Sequence, residues 1–80
     1  MDRTDIFKRV SNVFNNVLEE NIEIKESYTS DDVEGWDSLT HIMLIVEIEK
    51  EFAVKFLSNE MIAWENIGEM LDCIQEKLNK

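Results

Sequence analysis

The sequence contains no proline, two glycines and one cysteine. With so few residues that interrupt helices, this composition favours a helical protein. The lone Cys73 cannot form an internal disulfide, and one histidine, His41, is too few for a zinc-binding Cys/His cluster. The composition therefore excludes a disulfide scaffold and a zinc domain.

Basic residues are also scarce, since eight lysines and arginines stand against 18 aspartates and glutamates, for a formal net charge of -10. Phosphate binding needs clustered basic side chains, so nucleic acid is excluded as a partner. The acidity is concentrated, because nine acidic and two basic residues lie between residues 31 and 65. We expect that segment to attract basic protein surfaces.

Long apolar runs are absent as well, and the longest one extends only from Ile42 to Val46. A membrane-spanning helix needs about 20 apolar residues, so no membrane insertion is expected. The start of the chain is charged and amphipathic, unlike a secretory signal. These features predict a cytoplasmic monomer, and 80 residues predict one small domain over residues 1–80.

Three segments carry the apolar spacing of amphipathic helices. They are residues 4–19 with Asp2 or Thr4 as N-cap, residues 38–52 with Asp37 or Ser38 as N-cap, and residues 67–78 with a capping box of Asn66 and Glu69. A short helical turn is predicted at Ser58, which would cap it. Residues 21–37 hold turn formers without a helical stripe. The prediction is an all-α fold, a small bundle of three or four helices with a long loop between the first and second helices.

Two kinds of reactive site can be tested around Ser38. His41 follows it by one helical turn, but a serine nucleophile also needs an orienting acid and an oxyanion hole in a sheltered pocket. We interpret His41 as a solvated surface side chain. An EF-hand loop centred on Gly35 would place Ser30 and His41 where carboxylates are required. The sequence therefore predicts neither an enzyme nor a metal site.

Ser38 has two interpretations at the start of the second helix. A serine at this position is usually a simple N-cap, and position alone favours that interpretation. Its hydroxyl could also carry a phosphate ester, which would lie against free backbone N–H groups and the positive end of the helix dipole.

The second predicted helix opens with Asp37-Ser38-Leu39, is acidic, and ends in Glu51-Phe52. In this the chain resembles the acyl carrier proteins, whose signature is a D-S-L triplet at the start of the second helix. The resemblance covers nearly the whole chain, including its length, acidity, long first loop and short third helix. It implies that Ser38 carries 4'-phosphopantetheine, installed from coenzyme A by a phosphopantetheinyl transferase. The arm would hold acyl cargo as a thioester, and the chain itself would catalyse nothing.

The resemblance also implies docking of the second helix onto basic patches of acyl- or aminoacyl-loading and acyl-transfer enzymes. The expected contact residues are Asp37, Leu39, Met43, Val46, Glu47 and Glu49. Carriers of fatty-acid synthesis often have acidic residues where this chain has Thr40 and Met43. This departure favours a specialised pathway, because it can exclude unsuited partners.

Three bulky residues suggest a limit on the size of the cargo. Phe56, Trp64 and Met70 fall at positions that help line a cargo cavity in the family, which leads to the hypothesis of a small or closed pocket and a short or polar cargo. Trp36 is interpreted as packing the loop onto the bundle, with a specificity contact beside the arm as the alternative. Cys73 is interpreted as a small core hydrophobe.

Two alternatives stay open at the level of the sequence. A peptidyl or aminoacyl carrier, including a D-alanine carrier, shares the serine, the arm and the bundle. A non-covalent acidic interaction module would use Ser38 only as a helix cap.

Overall fold

The computed structural model describes residues 2–79, and their regular structure is helical. The helices are α1, Arg3–Leu18; α2, Ser38–Phe52; α3, Ser58–Met61; and α4, Ile67–Leu78. The predicted all-α bundle and the long loop between the first and second helices are confirmed. The three long helices begin and end within one residue of their predicted bounds.

Side chains cap the first and last helices as their residue types suggest. Asp2 Oδ1 accepts the N–H of Asp5 at 2.9 Å, so Asp2 and not Thr4 is the N-cap of α1. Asn66 Oδ1 accepts the N–H of Glu69 at 2.9 Å. Only this half of the predicted capping box at α4 forms. Among residues 2–79 the Glu69 carboxylate does not accept the backbone N–H of Asn66.

The short helix α3 begins differently from the prediction. Ser58 is its first helical residue, and Leu57 occupies the N-cap position. The predicted Ser58 cap is therefore wrong. The carboxylate of Glu60, the third helical residue, accepts the N–H of Leu57 at 2.7 Å and so closes the start of α3.

The core is built from one face of each long helix together with loop and connection residues. Its buried apolar members are Ile6, Val10, Val13, Phe14, Ile24, Leu44, Ile45, Ile48, Phe52, Phe56, Ile67, Met70, Leu71 and Ile74. In α2 the buried residues follow the predicted face, while Leu39, Ile42, Met43 and Val46 remain exposed. Burying one stripe of each helix removes apolar surface from water and is the main favourable contribution to folding.

The long loop is held on this core by the apolar residues that the sequence indicated. Ile24 and Val33 are buried, and Ile22 and Tyr28 pack against the core with part of their surface exposed. The loop turns toward α2 at Gly35, whose φ of 89° lies in the left-handed region that favours glycine. The loop therefore has a defined path to the start of α2.

Arg3 ties the loop to α4 and was not singled out by the sequence pattern. Its guanidinium donates to the carboxylates of Glu26 and Asp72, each at 2.7 Å, and to the Gly68 carbonyl at 3.1 Å. The hydrogen bond from Arg3 lowers the pKa of Glu26 below its usual value. Beside this contact the N–H of Gly68 donates to the Glu26 carbonyl at 2.8 Å, so backbone and side chains hold the same junction.

Candidate functional site

The N-terminus of α2 is closed by a reciprocal pair of side chains. Asp37 Oδ1 accepts the N–H of Thr40 at 2.9 Å, and Thr40 Oγ1 accepts the N–H of Asp37 at 2.7 Å. The Thr40 hydroxyl donates onward to the Gly35 carbonyl at 2.8 Å. Hydrogen bonds to Asp37, first of all from the Thr40 N–H, lower the pKa of its carboxyl group. Thr40 therefore has a structural role. An acidic residue at this position would have no hydroxyl to donate to the Gly35 carbonyl.

Ser38 is the first residue of α2 and not its cap. Its side chain is exposed, and its hydroxyl forms no hydrogen bond with any residue from 2 to 79. The interpretation of Ser38 as a simple cap is wrong, because Asp37 and Thr40 complete the capping box without it. The hydroxyl stands free at the positive end of the helix dipole, where a phosphate ester is stabilised.

A groove of about 460 Å³ opens beside Ser38. The start of α2 forms one wall, and the end of α3 with the turn that follows forms the other. Trp36, His41, Met61 and Trp64 line its depth, and the exposed Ile62 stands at its edge. A group attached to Ser38 would therefore meet aromatic and apolar side chains, with the polar Ser30 and Glu65 also lining the groove.

Beneath this groove five rings touch in sequence, a feature we call the aromatic row. Phe14 meets Trp36 edge-on with centroids 5.1 Å apart, and Trp36 stacks on His41 at 5.9 Å. His41 meets Trp64 at 6.1 Å, and Trp64 meets Phe56 edge-on at 5.0 Å. The contact with Phe14 confirms that Trp36 packs the loop onto the bundle.

His41 is partly buried, so its interpretation as a solvated surface residue is wrong. Its Nδ1 accepts the indole N–H of Trp36 at 3.1 Å, and its Nε2 lies 3.0 Å from the Met61 carbonyl oxygen. Since Nδ1 accepts and a carbonyl cannot donate, the proton is on Nε2. The partners come from the loop and from α3, and helical spacing around His41 does not reveal them.

Comparison with known proteins supports the resemblance to the acyl carrier proteins. No family model matches the chain. The chain is similar to the solution structure of the holo acyl carrier protein from Geobacter metallireducens, with a TM-score of 0.85 and 28% sequence identity. The match covers 92% of this chain and 86% of that one. This chain has the fold of an acyl carrier protein and resembles that family. The resemblance inferred from the D-S-L triplet and the architecture is confirmed.

An acyl carrier protein is a non-enzymatic carrier, in agreement with the prediction that the chain is no enzyme. The shared fold implies a carrier role and interaction with enzymes that modify the carrier and handle its acyl groups. Among residues 2–79 no group of three or more His, Cys, Asp or Glu is placed to hold a metal ion, and no helix has the length and apolar character to cross a membrane.

The exposed face of α2 in this carrier contains the predicted apolar docking residues. Leu39, Met43 and Val46 are exposed, and Ile42, absent from the predicted docking set, is 61% exposed beside them. Ile42, Met43 and Val46 also line a groove of about 520 Å³ against Val17 of α1. Exposed apolar side chains in contact with one another are typical of an interaction surface.

The three acidic residues predicted to dock have different surroundings. Asp37 is engaged in the capping box, and the half-buried Glu49 accepts the N–H of Phe56 at 2.9 Å. Glu49 therefore closes the connection after α2. Glu47 accepts no backbone N–H among the described residues and lies 3.7 Å from Lys50, a loose contact between exposed groups. Of the three, Glu47 is the most available to a partner.

Cys73 of this carrier lies at the margin of the core. It is partly buried, so the interpretation as a core hydrophobe is only partly right. Burial, with a smaller contribution from the charge of Glu60, raises the pKa of the thiol. Cys73 is thus kept protonated and has weak nucleophilic character.

Proposed function

We propose that Ser38 carries 4'-phosphopantetheine and that the chain presents acyl intermediates, held on that arm, to partner enzymes. The observation that carries the proposal is the free, exposed Ser38 hydroxyl at the start of α2, beside a groove. The similar protein from Geobacter metallireducens is a holo acyl carrier protein, and holo carriers bear this arm. When bound, the arm supplies a thiol that forms thioesters with acyl groups.

The residues around Ser38 fit this group. The phosphodiester would be stabilised by the N-terminal N–H groups of α2, a favourable place for an anion. Trp36, Ile62 and Trp64 offer apolar surface along the groove for the uncharged remainder of the arm. Because Asp37 and Thr40 hold the first turn of α2, the attachment point has a defined position.

The loading step follows from the chemistry of coenzyme A. Ser38 Oγ forms a bond to the phosphorus on the pantetheine side of the pyrophosphate. The P–O bond to the nucleotide breaks, and adenosine 3',5'-bisphosphate leaves with the electron pair. The Ser38 proton passes to a base of the transferase, which acts with magnesium. In the interaction-module alternative Ser38 carries no arm, so the loading experiment distinguishes that alternative from a carrier.

Loading is tested by incubating the protein with coenzyme A, magnesium and a broad-specificity phosphopantetheinyl transferase. Wild type is expected to gain the mass of one phosphopantetheinyl group, whereas Ser38→Ala gains none. Ser30→Ala is the matched control, because Ser30 lines the same groove and its variant should load fully. Intact-mass spectrometry measures all three. An unmodified wild type, under conditions that load a known carrier, contradicts the proposal.

Docking is proposed to use the exposed apolar face of α2 together with Glu47. Partners would offer apolar side chains flanked by lysine or arginine. Asp37 and Glu49 stay in the predicted set, although their carboxylates already accept backbone N–H groups. Charges at the edge of such a surface mainly steer and orient the encounter.

Reversing the charge at position 47 is expected to weaken loading. Glu47→Lys should lower kcat/KM of the transferase about 5-fold at low ionic strength, because exposed ion pairs contribute about 0.2–1 kcal/mol and reversal adds repulsion. The loss should shrink with added salt, which screens exposed charges. Glu23→Lys, an equal charge change at an exposed loop residue, should load like wild type. Equal kinetics for both variants would remove Glu47 from the docking surface.

We further propose the biological setting as a single cytoplasmic carrier domain over residues 1–80, monomeric and serving a specialised pathway. A short or polar cargo is supported by the bulky residues at the predicted cavity. Met70 and Phe56 are buried, and Trp64 packs edge-on against Phe56. Space for a long alkyl chain among these side chains would require the core to rearrange.

A further inference from the structure

The groove beside Ser38 and the apolar core lie on opposite sides of the aromatic row. Trp36, His41 and Trp64 line the groove, and at its ends the row continues into Phe14 and Phe56, which are buried in the core. Successive centroids are 5.0 to 6.1 Å apart, the range of rings in contact. A group attached to Ser38 must therefore displace part of this row to enter the bundle.

His41 is the member of the row that joins two helices by a hydrogen bond. Its Nε2–H donates across the groove to the carbonyl of Met61, the last residue of α3. On the other side of α3, Lys77 of α4 pairs with Glu60 at 2.8 Å. Since α3 has only four residues and buries none of them fully, these polar contacts add to the packing of Met61 in holding it against its neighbours.

A histidine suits this position because it serves two partly buried groups at once. The ring accepts from the Trp36 indole through Nδ1 and donates to Met61 through Nε2. An alanine at position 41 would leave both partners without these bonds, and unsatisfied polar groups away from water are costly. The ring also fills the space between Trp36 and Trp64, so its loss would interrupt the row.

We infer that His41 is a latch between α2 and α3 that excludes cargo from the bundle. Cargo attached through Ser38 then lies outside the core, along Trp36, Ile62 and Trp64, where a short or polar acyl group is accommodated without opening the helices. The part of this inference that concerns cargo rests on the proposed function of Ser38. The latch itself does not, and it can be tested on the unmodified protein.

The first test is hydrogen exchange of the unmodified protein. The amides of Met61 and Ala63 bond within and just after α3, to the carbonyls of Leu57 and Glu60. His41→Ala is expected to speed their exchange at least 10-fold relative to wild type. His41→Gln should stay within about 3-fold of wild type, because its amide N–H can still donate to Met61. Unchanged exchange in His41→Ala, or equally fast exchange in His41→Gln, would overturn the latch.

A second variant, His41→Asn, tests the latch even if His41→Ala does not fold. His41→Asn has a shorter side chain whose oxygen can accept from Trp36 while its amide falls short of Met61. It should expose the α3 amides as His41→Ala does. If the alanine variant does not fold, slow exchange in His41→Asn overturns the latch by itself.

The second test loads an octanoyl group through the arm on Ser38. Wild type is expected to keep the NMR shifts of its core methyl groups, such as those of Leu44, Ile48 and Leu71, when octanoyl replaces the free thiol. In His41→Asn these shifts should move, because the chain can enter the bundle. Core shifts that move in wild type, or stay unchanged in the variant, contradict exclusion by His41. Failure of Ser38 to load would contradict the proposed function and leave the exchange result valid.

Discussion

Trp36→Ala is expected to lower the free energy of unfolding by about 3 kcal/mol, the low end of the range for removing a large aromatic side chain. Trp36 packs edge-on against the fully buried Phe14 and donates its indole N–H to His41 at 3.1 Å. The variant would lose the packing and leave His41 Nδ1 without its partner. A small domain has about 0.05–0.15 kcal/mol of stability per residue, so the loss is a large share of the total.

Urea unfolding followed by far-ultraviolet circular dichroism measures this effect without relying on the tryptophan signal. Trp36→Phe is the matched variant, because a phenyl ring can still pack against Phe14 but lacks the donor to His41. Its expected cost is about 1 kcal/mol, that of one hydrogen bond. If Trp36→Ala unfolds at the same urea concentration as wild type, the ring does not anchor the loop.

Arg3→Met is expected to cost about 2 kcal/mol of stability. Methionine keeps much of the aliphatic length and removes the guanidinium that joins Glu26, Asp72 and the Gly68 carbonyl. Hydrogen bonds to charged groups contribute about 1.5–3 kcal/mol, reduced here because the side chains are partly exposed. Arg9→Met is the control, since Arg9 makes one surface pair with Glu51 at 3.4 Å and should cost under about 0.5 kcal/mol.

The cost of Arg3→Met should depend on pH in a defined direction. The hydrogen bond from Arg3 lowers the pKa of Glu26 in the folded state. A carboxyl group with a depressed pKa stabilises the fold above its unfolded pKa, about 4.3, and loses that contribution as pH falls through the folded value. The difference between wild type and Arg3→Met should therefore narrow below about pH 4. A difference that stays constant from pH 7 to pH 3 would contradict the role of the Glu26 carboxylate.

The sequence was most informative where the structure depends on local spacing. The apolar stripes and capping residues located the three long helices to within one residue. The D-S-L triplet placed Ser38 at the start of α2 and indicated the family that the structural similarity confirms. These features involve residues within a few positions of one another, so their pattern can be read directly from the chain.

Local spacing was least informative about residues that work through distant partners. His41 was expected in solvent, and it bonds to Trp36 and to Met61, 20 residues away. No local pattern marks Arg3, although it bonds to Asp72, which lies 69 residues away. Glu49 was expected to dock, and its carboxylate holds the connection at Phe56.

The sequence by itself determined the helices, the acidity, the attachment serine as a candidate and the resemblance to the acyl carrier proteins. Tertiary structure decided that Asp37 and Thr40, and not Ser38, cap α2, which leaves the Ser38 hydroxyl free. It also decided that the groove beside Ser38 is floored by rings from the loop, α2 and the α3–α4 turn. The physical reason is that helix formation follows from neighbours along the chain, whereas hydrogen bonds and ring contacts between elements exist only once packing brings distant residues together.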